Sequence, residues 1–457
     1  MEGTRTIDIA DSGALGTSRF ASAVLVMICV FPALGTILFG AVDQITWALF
    51  FLLWTLMMLF WIGDSWRRGG IALNSSKLLL PIAGLAVIGF VQLLPLGFVG
   101  SLDRSATFYF ELKLIVYVSF FAACLTFIDS EVRLRRMVNF VILFGAGMAF
   151  YGILQRLASP EGIYGLRHPA QAIPFGPFVN QHHFAALMEM TGGVTLALLF
   201  GETTSRDRRI LLATAAIIMG VAVGFTGSRG GMLSFAATLA FVLLFRFMPG
   251  GSTEPVNARK RLGIAVAGLS LLMVVFAVVA FLGGNDPLLR GTGVALGDVD
   301  VSTGRFHFWP VALKIFTAHP LFGAGLEAFG VAFTRYDTWP GLFRVEQAHN
   351  EYLQMLADAG ILGFACLAAF IYMLARRGFS VVSKSYDERR YMAAGALAGC
   401  FGIMVHSFFD FPLRTPSNAF FFLLLAAIAT IPIFGAPRRR RRSSERSRSR
   451  PSSRMAR

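Results

Sequence analysis

Residues 349–375 read HNEYLQMLADAGILGFACLAAFIYMLA. From Leu353 to Ala375 this is a largely apolar run of the length a helix needs to cross a hydrocarbon layer, roughly 20 residues. Immediately before it, His349, Asn350 and Glu351 put an imidazole, an amide and a carboxylate at the mouth of that helix, where a long polar loop ends. The stretch joins two themes: apolar spans, and a few polar groups gathered at one end of them.

Outward from it the apolar runs repeat. With 55% hydrophobic residues and 45 phenylalanines in 457 residues, the chain is too apolar for a soluble protein. About twelve stretches suit membrane spans, near 20–40, 45–63, 78–96, 111–128, 137–155, 183–200, 210–225, 231–248, 262–283, 353–375, 391–409 and 418–435. The expected fold is an all-α polytopic membrane protein. Residues 1–19 read as a cytoplasmic segment, 20–283 as nine spans, 284–352 as an extracytoplasmic cap, 353–435 as three spans, and 436–457 as a basic cytoplasmic tail.

Cytoplasmic loops retain lysine and arginine during insertion. With the N-terminus inside, 30 of the 41 basic residues fall on inner segments and 10 on outer ones, with Lys113 at a helix boundary. An even number of spans returns the C-terminus to the cytoplasm. The tail, with Arg438 to Arg442 and a Ser/Arg-rich continuation, lacks apolar residues to bury. It is expected to be disordered, to lie against anionic lipid headgroups, and to carry much of the net charge of +15. It has no aromatic stacking residues, so no nucleic-acid partner is expected. Residues 1–19 contain Glu2, Asp8 and Asp11 and lack a basic start and a small-residue cleavage site, so the first span reads as retained. Cys29, Cys124, Cys366 and Cys400 fall within spans without metal or redox spacing. No repeat of fixed period is visible.

Two outer connections are long, 156–182 and 284–352. The second is rich in Phe and in Trp309 and Trp339, which favours a folded cap. Within it, residues 305–317 read as an amphipathic helix that starts after Ser302-Thr303-Gly304 and stops at Pro320, Gly323 and Gly325. Arg305 at that start suits an anion, or a lipid headgroup reached by snorkelling. Thr226-Gly227-Ser228-Arg229-Gly230-Gly231 forms a tight turn in which Ser228, Arg229, Gly230 and the backbone amides suit an anion, or simply a glycine turn. Asn180-Gln181-His182-His183 opens a span without the ligand spacing of a zinc site. His406, Asp410 and Arg414 surround the last outer turn, where Asp410 and Arg414 could pair with each other. On a continuous helix His349 shares a face with Tyr352, Leu353 and Leu356, and Glu351 with Asp358, so only one of these stripes can face an interior site. Arg229, Arg305, Arg344, Arg414, His182, His183, His349 and Asp410 all map to one side. An excess of cations there suits a phosphate or diphosphate, whose oxygens match planar guanidinium groups.

The run Gln347-Ala348-His349-Asn350-Glu351-Tyr352-Leu353-Gln354, followed by Ala359-Gly360-Ile361-Leu362-Gly363, resembles the signature of the O-antigen ligase and polymerase superfamily. Ser228-Arg229-Gly230-Gly231, Thr303-Gly304-Arg305 with Trp309, His319-Pro320-Leu321-Phe322-Gly323-Ala324-Gly325, and His406-Ser407 through Asp410 add to it, in order, over about residues 20–435. The resemblance implies a GT-C-like membrane fold and transfer of a glycan from undecaprenyl diphosphate, without metal or other cofactor. The acceptor would be a hydroxyl or amide on a growing glycan, lipid A core or protein. It implies that Arg229 and Arg305 hold the diphosphate and that His349 is the essential loop histidine, acting as base or positioning the acceptor. As base it would give inversion at the anomeric carbon. Gln347, Asn350, Glu351, Arg344, Asn180, Asp410, Arg414, Ser228 and Gly230 are the expected substrate-binding residues. Asn180-Gln181-His182-His183 departs from the family's frequent Asn-x-Asn, which leaves acceptor binding there open. A solute transporter is the alternative reading, and it would rest on Glu189, a carboxylate inside its span.

Overall fold

A computed structural model describes residues 6–8, 18–74, 76–95, 99–158, 162–169, 172–246, 263, 266, 268, 304–339 and 344–431. In chain order the helices are α1 Arg19–Ile37, α2 Gln44–Arg68, α3 Leu79–Leu93, α4 Arg104–Phe127, α5 Glu131–Ala158, α6 Gln181–Leu199 and α7 Arg206–Thr226. Then follow α8 Arg229–Arg246, α9 Arg305–Ala318, α10 Phe329–Tyr336, α11 Glu351–Lys384, α12 Asp387–His406 and α13 Pro416–Thr430. Seven of them, α1, α2, α4, α5, α7, α8 and α11, are long and apolar enough to cross a membrane, and α3 and α13 are shorter apolar helices. The chain is an all-α polytopic membrane protein. Every expected span coincides with one of these helices except 262–283, of which only 263, 266 and 268 are described; the tail lies outside the described residues. Among the described residues the strands are β1 Thr6–Asp8 and β2 Ile71–Leu73, a short parallel pair that ties the N-terminal segment to the α2–α3 connection.

The centre of the bundle is α6 against α12. Every residue of α6 from His183 to Leu199 is buried, and Gly193 meets Gly395 and Gly399 so closely that a methyl group would strike the facing backbone. Without water to drive apolar association inside a bilayer, such close approach of small residues holds helices together through van der Waals contact. Beside it, Phe420 of α13 packs among Phe31, Phe50, Phe120 and Tyr117.

The loops segregate to two ends of the bundle. At one end Arg135 pairs with Glu131 and Glu388, Arg208 also pairs with Glu388, and Arg246 pairs with Glu202. These segments are among those the basic-residue count assigns to one side. At the other end the α6 start, the α7–α8 turn, the cap and the α12–α13 loop come together, and the amide of Leu102 donates to the carbonyl of Ala324.

The cap is helical. Val311, Ala312 and Ile315 of α9 pack with Phe329, Ala332 and Phe333 of α10, and with Ala348 and Ala357. α9 begins at Arg305, as expected, because Gly304 before it adopts a left-handed φ of 87°. The segment between α9 and α10 is stitched into a break in α11 at Gly360, whose φ of 62° and ψ of −162° interrupt the helix. The amides of Ala324 and Gly325 donate to the carbonyls of Ala357 and Asp358 at 2.8 and 3.0 Å, and the amide of Ile361 donates to the Pro320 carbonyl at 2.8 Å. Gln92 of α3 completes the join, its amide donating to the Asp358 carbonyl at 2.9 Å while its oxygen accepts from the Leu326 amide at 2.9 Å. A break at membrane depth survives only where protein groups replace the lost helical bonds, and the His319–Gly325 segment supplies them. That run, met in the sequence as part of a signature, serves here as backbone architecture.

Candidate active site

α6 opens with Asn180 as its cap, the side-chain oxygen accepting from the His182 amide at 2.9 Å. This sets His182 so that its Nδ1 meets the Ser228 hydroxyl at 2.7 Å. Ser228 in turn accepts from the Gly231 amide at 3.0 Å and lies at the start of α8, immediately before Arg229. The preceding Gly227 takes a φ of 64°, which lets α7 turn sharply into α8. Gly230 lies against the His406 ring, where a methyl group would come within 3.3 Å of Nε2. Behind it, His406 Nδ1 is 2.8 Å from Glu189 Oε1, and both side chains are buried.

His349 is not on α11. The helix begins at Glu351 with Asn350 as its cap, accepting from the amides of Tyr352 and Leu353 at 3.0 and 3.1 Å. His349 sits just before, with a left-handed φ of 50°. The helical-phase expectation that opposed His349 to Glu351 therefore does not apply, because the two belong to different backbone conformations. The strained turn is held from several directions. Trp309 Nε1 donates to the Ala348 carbonyl at 3.1 Å, Asn350 Nδ2 to the Phe408 carbonyl at 3.1 Å, the Glu351 amide to the Ser407 carbonyl at 2.9 Å and the Tyr352 hydroxyl to the Met404 carbonyl at 2.7 Å.

So clamped, His349 places Nδ1 3.0 Å from Asp410 Oδ1, with Phe308 stacked on one side and the edge of Phe411 on another. The His349 side chain is 29% exposed and that of Asp410 1%, so the imidazole is the partner that can meet a substrate. Burial disfavours ionisation of Asp410, but the hydrogen bond from His349 and the nearby His182 and His183 imidazoles hold its carboxyl well below the usual range. Arg305 is close enough for its charge to act on both His182 and His406. His349 with Asp410, His182 with Ser228, and Gly230 against His406 thus lie near one another at this end of the bundle, with Arg229 next to Ser228 and Arg305 within electrostatic reach of His182 and His406. The Gln347 side-chain oxygen is buried nearby in sequence without a hydrogen-bond partner.

Arg414 and Asp410 do not pair. Arg414 contacts Glu327 at 2.6 Å, Asp358 at 2.7 Å and Glu351 at 3.5 Å, and so bolts the α12–α13 loop to the cap and to α11. Burial works against its charge, but those three carboxylates keep the guanidinium protonated above its usual range. Glu351 faces this hub and accepts from the Leu413 amide at 3.2 Å. Arg344 lies at the cap surface, 2.8 Å from Glu346, both well exposed. The aromatic flanks of His349 and the Glu327 partner of Arg414 were not marked in the sequence, whereas Asp358, read as sharing a face with Glu351, does join it at Arg414. The flanks and Glu327 come from distant elements, and no local pattern announces them.

Residues 214–368, from α7 through the cap into α11, match the family model described as O-antigen ligase. Over this third of the chain the match supports the resemblance to the O-antigen ligase and polymerase superfamily. The matched segment carries Ser228, Arg229, Arg305 and His349, so it holds several of the candidate site residues of this O-antigen ligase-like protein. Asp410 and His182 approach from outside the match. No curated protein matches the chain.

Proposed function

We propose that this O-antigen ligase-like membrane enzyme transfers a glycan from undecaprenyl diphosphate to an acceptor hydroxyl at the outer face of the cytoplasmic membrane, with both termini inside. The observation that supports the reading is the His349–Asp410 pair, with Arg305 and the α8 N-terminus at the same end of the bundle. Asp410 accepts from Nδ1–H and so leaves the Nε2 lone pair free to act as base. The acceptor O–H proton passes to Nε2 as the acceptor oxygen bonds to the anomeric carbon. The bond from that carbon to the diphosphate oxygen breaks, and its electron pair leaves with the diphosphate. Arg229, Arg305 and the positive end of α8 would stabilise the charge that builds there. Attack opposite to departure inverts the anomeric centre.

Asn180 positions His182, Asn350 fixes the His349 turn, and Glu351 and Arg414 brace it. The basic tail contacts anionic lipid. The transporter reading is disfavoured because Glu189, the carboxylate it needs, is sealed against His406. Purified protein given lipid-linked oligosaccharide tests the proposal. A ladder of lengthening lipid-linked chains marks a polymerase, and product on added lipid A core marks a ligase. No product from an intact donor, with unchanged surface polysaccharide in a His349→Ala strain, sinks the transferase reading.

A further inference from the structure

Away from the reacting groups, the cap carries an aromatic arrangement that the mechanism above does not use. Trp339 follows α10 and is 63% exposed. One face of its indole lies flat on the His307 imidazole of α9, with ring centres 3.7 Å apart and planes 12° from parallel. His307 is fixed by Asp337, with Nε2 2.7 Å from Oδ1, and the same Asp337 oxygen accepts from the Trp339 amide at 3.0 Å. The side chains of His307 and Asp337 are largely covered, so the indole is the part of this assembly left open. From it the rings continue inward: His307 lies 6.3 Å from Phe308, and Phe308 lies 6.1 Å from His349.

A flat aromatic face held rigidly by the imidazole stacked beneath it has a specific chemical complement. A pyranose ring presents a patch of C–H groups with partial positive charge on one face and hydroxyls around its edge. The C–H patch fits the electron-rich indole face, and the hydroxyls at the ring edge stay in water. An indole that merely anchors a protein at the lipid surface needs no such support, since the interface orders it through its own N–H and apolar ring. A preformed platform also loses little conformational entropy on binding.

We propose that Trp339, backed by His307 and Asp337, is a sugar-stacking subsite that holds a glycan residue remote from the reacting anomeric carbon and so sets which saccharides the enzyme accepts. This rests on the transferase reading. The exposed ring and the row of ring contacts from it through His307 and Phe308 to His349 put the subsite within reach of a glycan extending away from His349.

The test uses full-length protein in nanodiscs and, as probe, the oligosaccharide released by mild acid from the host's own lipid-linked intermediates. Binding is read calorimetrically without turnover. Trp339→Ala should bind the saccharide roughly tenfold more weakly, and Trp339→Phe, which keeps a flat ring, should recover most of the affinity. In transfer assays the same loss should appear in KM for the lipid-linked donor, with kcat nearly unchanged. Equal saccharide affinity in wild type and Trp339→Ala overturns the proposal. So does quenching by brominated phospholipid of a wild-type fluorescence component that is missing in Trp339→Phe, because it puts Trp339 in the bilayer. A wild type that binds the saccharide through Trp339 but transfers nothing would overturn the transferase reading and leave the platform standing.

Discussion

The imidazole of His349 and the carboxylate of Asp410 meet at 3.0 Å across 61 residues of sequence, one exposed enough to reach a substrate and the other buried behind it. The pairing fixes which ring nitrogen carries the proton. Asp410→Asn keeps the size of the side chain but lets its amide donate to Nδ1, which favours the tautomer with the proton on the wrong nitrogen. Transfer by this variant should fall on the order of 100-fold in kcat with little change in donor KM. Steady-state rates with a fixed lipid-linked donor check this.

The same carboxylate predicts a pH signature in stability. Its folded-state pKa lies well below its ordinary value, so its stabilising contribution is complete above about pH 4 and is lost as pH falls through the lowered value. The melting difference between wild type and Asp410→Asn should be flat from pH 8 to 5 and shrink only below about pH 4. Thermal denaturation in detergent across that range measures it.

Arg414 should prove structural. Arg414→Ala leaves the carboxylates of Glu327, Asp358 and Glu351 clustered without their cation, at a cost of about 3–5 kcal/mol. The variant should melt markedly lower than wild type. Arg305→Ala should melt almost normally yet lose transfer by on the order of 100-fold. Paired melting and activity measurements separate the two arginines.

How much of this was legible beforehand follows from the range of each signal. The spans were readable because a run such as Leu353–Ala375 must bury its own backbone polar groups, and only a helix of that length does so in lipid. The α9 start was readable because Thr303-Gly304 ahead of Arg305 is local chemistry. The position of His349 was not. The helical pattern extends back through it, and only hydrogen bonds from Trp309 and to Ser407 and Phe408 decide that α11 stops at Glu351. The break at Gly360 was hidden for the same reason, since its replacement partners lie in Pro320–Gly325. Asp410 and Arg414 sit four apart, yet Asp410 finds His349 from the end of the cap loop and Arg414 finds Glu327, Glu351 and Asp358 from elsewhere in the chain.

That break gives a further prediction. Gly323 has a φ of 76°, and a methyl group there would strike the backbone of Asp358 and Ala359. Gly323→Ala should cost more than the roughly 1–2 kcal/mol of the left-handed conformation alone, and should loosen the cap from α11. Faster amide exchange at Ala324 and Gly325, whose bonds cross the break, would show the loosening.

The central claim is that His349 takes a proton while the arginines and α8 hold the departing diphosphate. A single turnover with pre-bound, glycan-labelled donor tests it in His349→Gln. The account predicts that the variant binds donor as wild type does but forms product on the order of 100-fold more slowly. Product formation at the wild-type rate would contradict it.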